Sequence, residues 1–265
     1  MTAPAAKPVT VPDFRAAKGQ RKLAVVTAYD FTAAKLADAA GVDAILVGDS
    51  LGMVVQGYAT SLPVTMEHMA YHTACVVRGT SRALVIADLP FGSYQESKQQ
   101  AIRSAVRLIQ AGAAAVKLEG GERMAATIAA LVNAEIPVMA HIGLTPQSVH
   151  KFGGFKVQRD AEILRRDAEA VAAAGAFSVV VECVPSADAK TVTGAVSIPT
   201  IGIGAGPDCD GQVLVFHDLL GLYDGFRPKF VKRYAELGTA MKAAFAEYID
   251  EVRSGTFPAP EHEFR

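Results

Sequence analysis

The sequence predicts an α/β protein folded as a closed (β/α)8 TIM barrel. Three observations carry that expectation. Apolar runs of strand length recur eight times, nearly all are followed by segments with helical spacing, and no composition break divides the 265 residues. Alternating strand and helix implies a parallel sheet, and roughly 250 residues is the usual extent of a barrel built from such units. An open doubly wound sheet remains the alternative, because counting units does not prove closure.

Taken in order, KLAVVTAYD (Lys22 to Asp30) reads as strand one, and FTAAKLADAAG as a short helix stopped by Gly41. Strand two is AILVGDSLG, Ala44 to Gly52, followed by a polar loop from Gln56 to Pro63. A helix is expected from Thr65 to Arg78, with Met66, Met69, Ala70 and Val77 at helical spacing. Strand three is Ala83 to Asp88, and the helix Ser97 to Ala111 follows, with Ile102, Val106 and Ile109 on one face and Gly112 as its stop. Strand four, Ala114 to Glu119, precedes a helix from Glu122 to Asn133. Strand five is Pro137 to Ile142, and a long glycine-bearing loop separates it from the helix Asp160 to Ala174. Strand six is Ser178 to Cys183, with a helix opening near Ser186. Strand seven is Pro199 to Ile203, strand eight Val213 to Phe216, and an alanine-rich helix runs from Phe230 to Val252. The whole chain is expected to be one domain, with residues 1–20 as a loose, flexible lead-in.

Composition narrows the function classes. Hydrophobic residues make up 51% and Trp is absent, so the core is built from small and branched aliphatics. The formal net charge is -1, from 26 basic and 27 acidic residues, which gives no electrostatic case for nucleic acid or an anionic membrane surface. No apolar run approaches the roughly 20 residues of a spanning helix, and the N-terminal segment lacks the apolar centre of a signal peptide. Cys75, Cys183 and Cys209 show no CxxC pairing and fit reduced thiols of a cytoplasmic protein.

The chemistry gathers where strands end. Strand two delivers Asp49 and Ser50, strand three Asp88, strand four Glu119 with Lys117 two residues earlier, and strand six Glu182. Active sites of such barrels sit at the C-terminal ends of the strands. Strand side chains alternate, so Asp49 is expected on the face of Ile45 and Val47, Asp88 with Leu84 and Ile86, and Lys117 with Glu119. Neighbouring strands lie about 4.8 Å apart, so the three acids could meet around one point. Crowded carboxylates repel unless a proton or cation joins them, and oxygen donors without His or Cys favour a hard ion such as Mg²⁺. Each acid could instead cap a helix or pair with a loop cation. Lys117 could neutralise an anionic substrate, form a Schiff base, or pair with Glu119.

Glu182 shares a face with Val180 among apolar residues, where burial would raise its pKa toward the range of a general base; a salt bridge is the alternative. His141, ending strand five, is read as site-lining. Ser50 offers an OH and an NH to a carboxylate, or serves as a cap. GIGAG resembles a phosphate turn without the spacing of a dinucleotide fingerprint, and close packing explains it as well. Cys183, of opposite parity to Glu182, is assigned to packing on the outer face.

Seven stretches then carry, in this order, a family resemblance that runs from about Val25 to Tyr234: VVTAYD, ILVGDSLGMVVQGY, ADLPFGSY, VKLEGG, PVMAHIGLTPQSV, VVECVP and IGIGAGPDCDGQVLVFHDLLG. Together they resemble the ketopantoate hydroxymethyltransferases. One departure is KVQRD at 156–160, where the family pattern reads KVQGR, which touches loop shape. The resemblance implies a (β/α)8 barrel, a homo-oligomer (usually a decamer), Mg²⁺, and small-molecule substrates. These are 3-methyl-2-oxobutanoate and 5,10-methylenetetrahydrofolate, giving 2-dehydropantoate in pantothenate synthesis through a Mg-stabilised enolate. Carried over, Asp49 and Asp88 ligate the metal and Glu119 completes the site through water. Substrate is held by Asp49, Ser50, Asp88 and Lys117, and Glu182 is the proton acceptor.

Three other readings compete. A Mg²⁺-dependent lyase or mutase of the isocitrate lyase and phosphoenolpyruvate mutase kind shares barrel and metal logic. A Schiff-base aldolase would work through Lys117. A barrel that only binds a 2-oxo acid would show no turnover.

Overall fold

The computed structural model describes residues 7–223, 225 and 227–264. The chain divides into two compact units, Met1–Val215 and Phe216–Arg265. The first unit runs α1 (Val11–Ala16), β1 (Leu23–Thr27), α2 (Phe31–Ala40), β2 (Ala44–Val47), α3 (Leu51–Val54), α4 (Met66–Gly79), β3 (Leu84–Asp88) and α5 (Lys98–Gln110). It continues with β4 (Ala115–Glu119), α6 (Ala125–Asn133), β5 (Val138–Gly143), α7 (Val149–Phe152), α8 (Ala161–Ala173), β6 (Ser178–Glu182), α9 (Ser186–Ala195), β7 (Thr200–Ile203) and β8 (Gly211–Leu214). The eight strands pair in chain order, all parallel, and β8 returns to β1. The barrel is closed, as expected.

Register fixes the inner face. Val25 pairs with Ala44, Ala44 with Leu84, Ile86 with Ala115, and Val180 with Ile201. These residues, with Leu23, Leu46, Met139 and Val213, form the apolar interior. Strand eight was expected from Val213, but pairing starts at Gly211. A Cβ there would stand 2.6 Å from the Leu23 carbonyl oxygen, so the ladder demands a residue that a search for apolar side chains passes over.

The N-terminal end of the barrel is plugged. Thr10 caps α1 and forms a reciprocal box with Asp13. Phe14, with no exposure, meets Phe177 edge-on at 5.8 Å. Val9 N–H donates to the Arg82 carbonyl at 2.7 Å, and Lys18 Nζ lies 2.8 Å from Asp210 Oδ2. The expected loose lead-in is therefore corrected over residues 9–18, which are ordered by a buried aromatic and by caps; residues 1–6 lie outside the described residues.

The second unit contains α10 (Phe216–Leu219) and α11 (Leu237–Ser254). The final helix was expected from Phe230. The stretch before Leu237 is committed to other bonds: Tyr234 N–H donates to the Leu219 carbonyl at 2.9 Å, and Arg227 Nη2 to the Val231 carbonyl at 3.0 Å. Among the described residues no helix is long and apolar enough to cross a membrane.

Candidate active site

Five side chains project inward from the C-terminal ends of four adjacent strands. Asp88 ends β3, Lys117 and Glu119 lie two apart on β4, His141 is on β5, and Glu182 ends β6. Register sets Asp88 beside Lys117 and Glu119 beside His141. Asp88, Lys117, Glu119 and His141 are each under 5% exposed.

The contacts form a line across the mouth. Lys117 Nζ lies 2.7 Å from Asp88 Oδ1 and 3.2 Å from His141 Nδ1, and His141 Nε2 lies 3.1 Å from Glu182 Oε2. An ammonium can only donate, so Nδ1 accepts, and a neutral imidazole then carries its proton on Nε2, facing Glu182. Burial, and then the Lys117 charge, depress the His141 pKa well below the usual histidine range, which keeps the ring neutral. His141 thus lines the site against Glu182, its buried Nε2 3.1 Å from the carboxylate but not aligned for a hydrogen bond.

Asp49 arrives by a route that alternation does not give. Ala44 and Leu46 face inward, so Ile45, Val47 and a regular continuation to Asp49 would face outward. The expected parity is corrected: β2 stops at Val47, and the turn at Gly48 swings Asp49 back so that its N–H donates to Asp88 Oδ2 at 3.0 Å. Ser50 does not cap α3; its Oγ sits 2.9 Å from the Tyr29 hydroxyl.

Two residues passed over in the sequence organise the acids. Gln147 Nε2 donates to Asp49 Oδ2 at 2.9 Å, and Gln147 N–H donates to Glu119 Oε2 at 2.9 Å. The Tyr94 hydroxyl donates to Gln147 Oε1 at 2.7 Å, which fixes the amide orientation. Gln147 lies in a 3₁₀ turn (Pro146–Ser148) of a loop, and Tyr94 follows the ADLPFG stretch. Loop residues carry no periodicity, so the only signal was their presence in stretches quoted for the resemblance.

Asp49, Asp88 and Glu119 were expected to meet around one point. Among the described residues no three His, Cys, Asp or Glu side chains form a ready ligand set, because Gln147 stands between Asp49 and Glu119. The site still fits a hard cation. Asp88 Oδ1 is buried and accepts no aligned hydrogen bond despite its closeness to Lys117. Four carboxyl groups here share one ammonium, and all are oxygen donors.

Electrostatics record that excess. Burial pushes Asp88 up to about 6, with Lys117 opposing and Asp49 assisting. Burial also lifts Glu119 well above the carboxyl range. Burial works against the Lys117 charge, but Asp88, Glu119 and Asp49 outweigh it and hold the ammonium protonated. Glu182, its side chain 15% exposed, is raised by burial to about 7. Cys183 follows in the left-handed region (φ 49°), its thiol pushed up to about 12 by burial and the neighbouring Glu182. That makes it no nucleophile at neutral pH. In GIGAG, a Cβ on Gly206 would collide with the Ser186 side chain, so close packing explains this glycine.

A profile described as ketopantoate hydroxymethyltransferase matches residues 8–260. A 3-methyl-2-oxobutanoate hydroxymethyltransferase of Moorella thermoacetica is 57% identical over 263 residues, covering 97% of this chain and 98% of the relative. A phosphonopyruvate hydrolase structure superposes with a TM-score of 0.65 at 16% identity, covering 98% of this chain and 92% of the other. A 2,3-dimethylmalate lyase of the PEP mutase/isocitrate lyase superfamily gives 0.63 at 18%, covering 98% and 93%. At those identities the structural likeness establishes the barrel alone. Sequence identity over nearly the whole length establishes more: this chain belongs to the ketopantoate hydroxymethyltransferase family.

Proposed function

We propose that the enzyme transfers a hydroxymethyl group from 5,10-methylenetetrahydrofolate to 3-methyl-2-oxobutanoate, giving 2-dehydropantoate for pantothenate synthesis. The observation that carries the reading is Glu182, a carboxyl with pKa about 7 that faces a protonated lysine and paired acids across one barrel mouth. A base near pH 7 suits removal of a proton next to a carbonyl. Glu182 takes the C3 proton, with His141 packed beside its carboxylate. Lys117 and Ser50 hold the substrate carboxylate and oxo oxygen. The carbanion at C3 forms the new bond to the methylene carbon; overall one water is consumed, its oxygen becoming the hydroxyl, and tetrahydrofolate leaves.

Asp49 and Asp88 would hold Mg²⁺, with Glu119 reaching it through water. When bound, the ion supplies a Lewis acid for the developing enolate charge. The raised pKa of Lys117 argues against a Schiff base, which needs the free amine. A cytoplasmic homodecamer belongs to the same proposal. In support of assembly, α11 leaves Leu237, Met241, Phe245, Tyr248 and Ile249 exposed at helical spacing.

The test is product formation from the two purified substrates with Mg²⁺ or with EDTA, alongside C3 proton exchange of 3-methyl-2-oxobutanoate in D₂O. Absence of 2-dehydropantoate overturns the reaction; wild-type exchange in Glu182→Gln overturns the base.

A further inference from the structure

A cavity of about 320 Å³ opens on the outer side of β4 and β5. Asp49, Asp88, Lys117, Glu119, His141 and Glu182 do not line it, so it is separate from the line of polar groups. It is nonetheless next door. Gly120 and Gly121 of its wall follow Glu119 directly, and Gly143, also in its wall, is the register partner of Glu182.

The charges around it are unevenly committed. Of its acids, Glu122 pairs with Arg166 Nε at 2.9 Å, Asp167 accepts the Glu122 N–H at 2.8 Å, and Asp160 caps α8 through the Ile163 N–H at 3.0 Å. Of its cations, Arg166 is taken, but among the described residues neither Arg123 nor Lys151 is in an ion pair. Arg123 makes only a long 3.4 Å contact to Ser148 Oγ. Apolar wall is supplied by Phe152, Ile163 and the outward-facing Ile142. The cavity thus offers an apolar surface ending in two uncommitted cations, which suits a ligand with a flat apolar body and a carboxylate end.

We propose that this cavity receives the p-aminobenzoyl-glutamate end of the one-carbon donor, the ring against Phe152 and Ile163 and the glutamate carboxylates on Arg123 and Lys151. This rests on the donor proposed above. The bridging methylene and the terminal carboxylates of such a donor are separated by an aromatic ring and a glutamyl unit, roughly 10 Å by bond lengths. A pterin at the barrel mouth can therefore deliver the methylene to C3 while its tail lies over Gly120 and Gly143. Gly143 and Gly121 in this wall are required by packing: a Cβ at Gly143 would collide with the Glu182 carbonyl, and one at Gly121 with Asp167.

The experiment compares the 5,10-methylene forms of tetrahydrofolate and of tetrahydropteroate, which lacks the glutamate, in wild type and in Arg123→Ala and Lys151→Ala. Calorimetric binding of tetrahydrofolate and tetrahydropteroate is measured in parallel. Each variant is expected to raise the KM for the glutamylated donor about tenfold, with KM for the oxo acid unchanged. Wild type should bind the glutamylated compound more tightly, a preference that shrinks with added salt. Arg123→Lys and Lys151→Arg should restore most of the loss. Equal affinity of wild type for the two donors, or variants that weaken both donors alike, overturns the tail site. Absence of transfer with either donor overturns the reaction itself, a distinct result.

Discussion

The two ends of this barrel both bury carboxyl groups, and treat them oppositely. At the N-terminal end, Asp38 accepts from the backbone N–H groups of Ser81, Arg82 and Ala83 at 2.7–3.0 Å. There too, Asp43 accepts from Ala24, and Asp210 from Thr200 and Gly19. Burial opposes the charges of Asp38 and Asp210, yet these bonds outweigh it and hold both below the usual carboxyl range. At the mouth, burial wins: Asp88 rises to about 6 and Glu182 to about 7. Burial is common to both ends. What distinguishes the mouth is fewer backbone donors per acid: Asp88 accepts one, from Asp49, and among the described residues Glu182 accepts none, so burial is not offset.

Glu182→Gln should break the contrast most severely. C3 exchange is expected to fall by about a thousandfold or more, near 4 kcal/mol of barrier. Wild-type activity should rise with pH through about 7 as the base ionises. Stability should move the other way. A carboxyl whose folded pKa is raised contributes fully below its unfolded value and loses that contribution as pH rises through the folded one. The glutamine variant should therefore match wild type near pH 4 and exceed it by about 1–3 kcal/mol at pH 8, read from metal-free urea melts.

Asp38→Ala makes the complementary break. It strands three backbone donors and should cost about 2–4 kcal/mol at pH 7, with C3 exchange per folded molecule retained. The sign reverses: a depressed pKa contributes above the unfolded value and is lost as pH falls through the folded one. The gap between wild type and variant should narrow as pH falls below 4. A gap of constant size would assign the loss to packing.

How much of this contrast the sequence carries depends on regularity. Asp88, Lys117, Glu119 and Glu182 sit within strands, where period two places them on the inner face without further information. Asp49 lies beyond the strand, and the turn at Gly48 reverses what alternation predicts. Asp38 sits inside α2 and Asp210 in a loop, so neither ends an apolar run, and their backbone partners are set by tertiary approach. Phe14 is invisible for a similar reason, since its partner Phe177 is distant in sequence. Unit count favoured closure without proving it, and the division before the last fifty residues had no composition signal.

The smallest break concerns Gln147, a neutral residue at the mouth that donates to Asp49 through its side chain and to Glu119 through its backbone. Gln147→Ala removes the Nε2 donor to Asp49 but leaves the helical-turn N–H on Glu119 to its backbone. About a tenfold loss in kcat/KM is expected, near 1.4 kcal/mol. Gln147→Glu tests whether donation or shape matters. It keeps the acceptor for the Tyr94 hydroxyl at almost unchanged volume, but can donate to Asp49 only while protonated. Its activity relative to wild type should therefore fall as pH rises, whereas the alanine variant should track wild type at constant ratio. A pH-independent ratio for both would mean that Gln147 fills space and does not hold Asp49 in place.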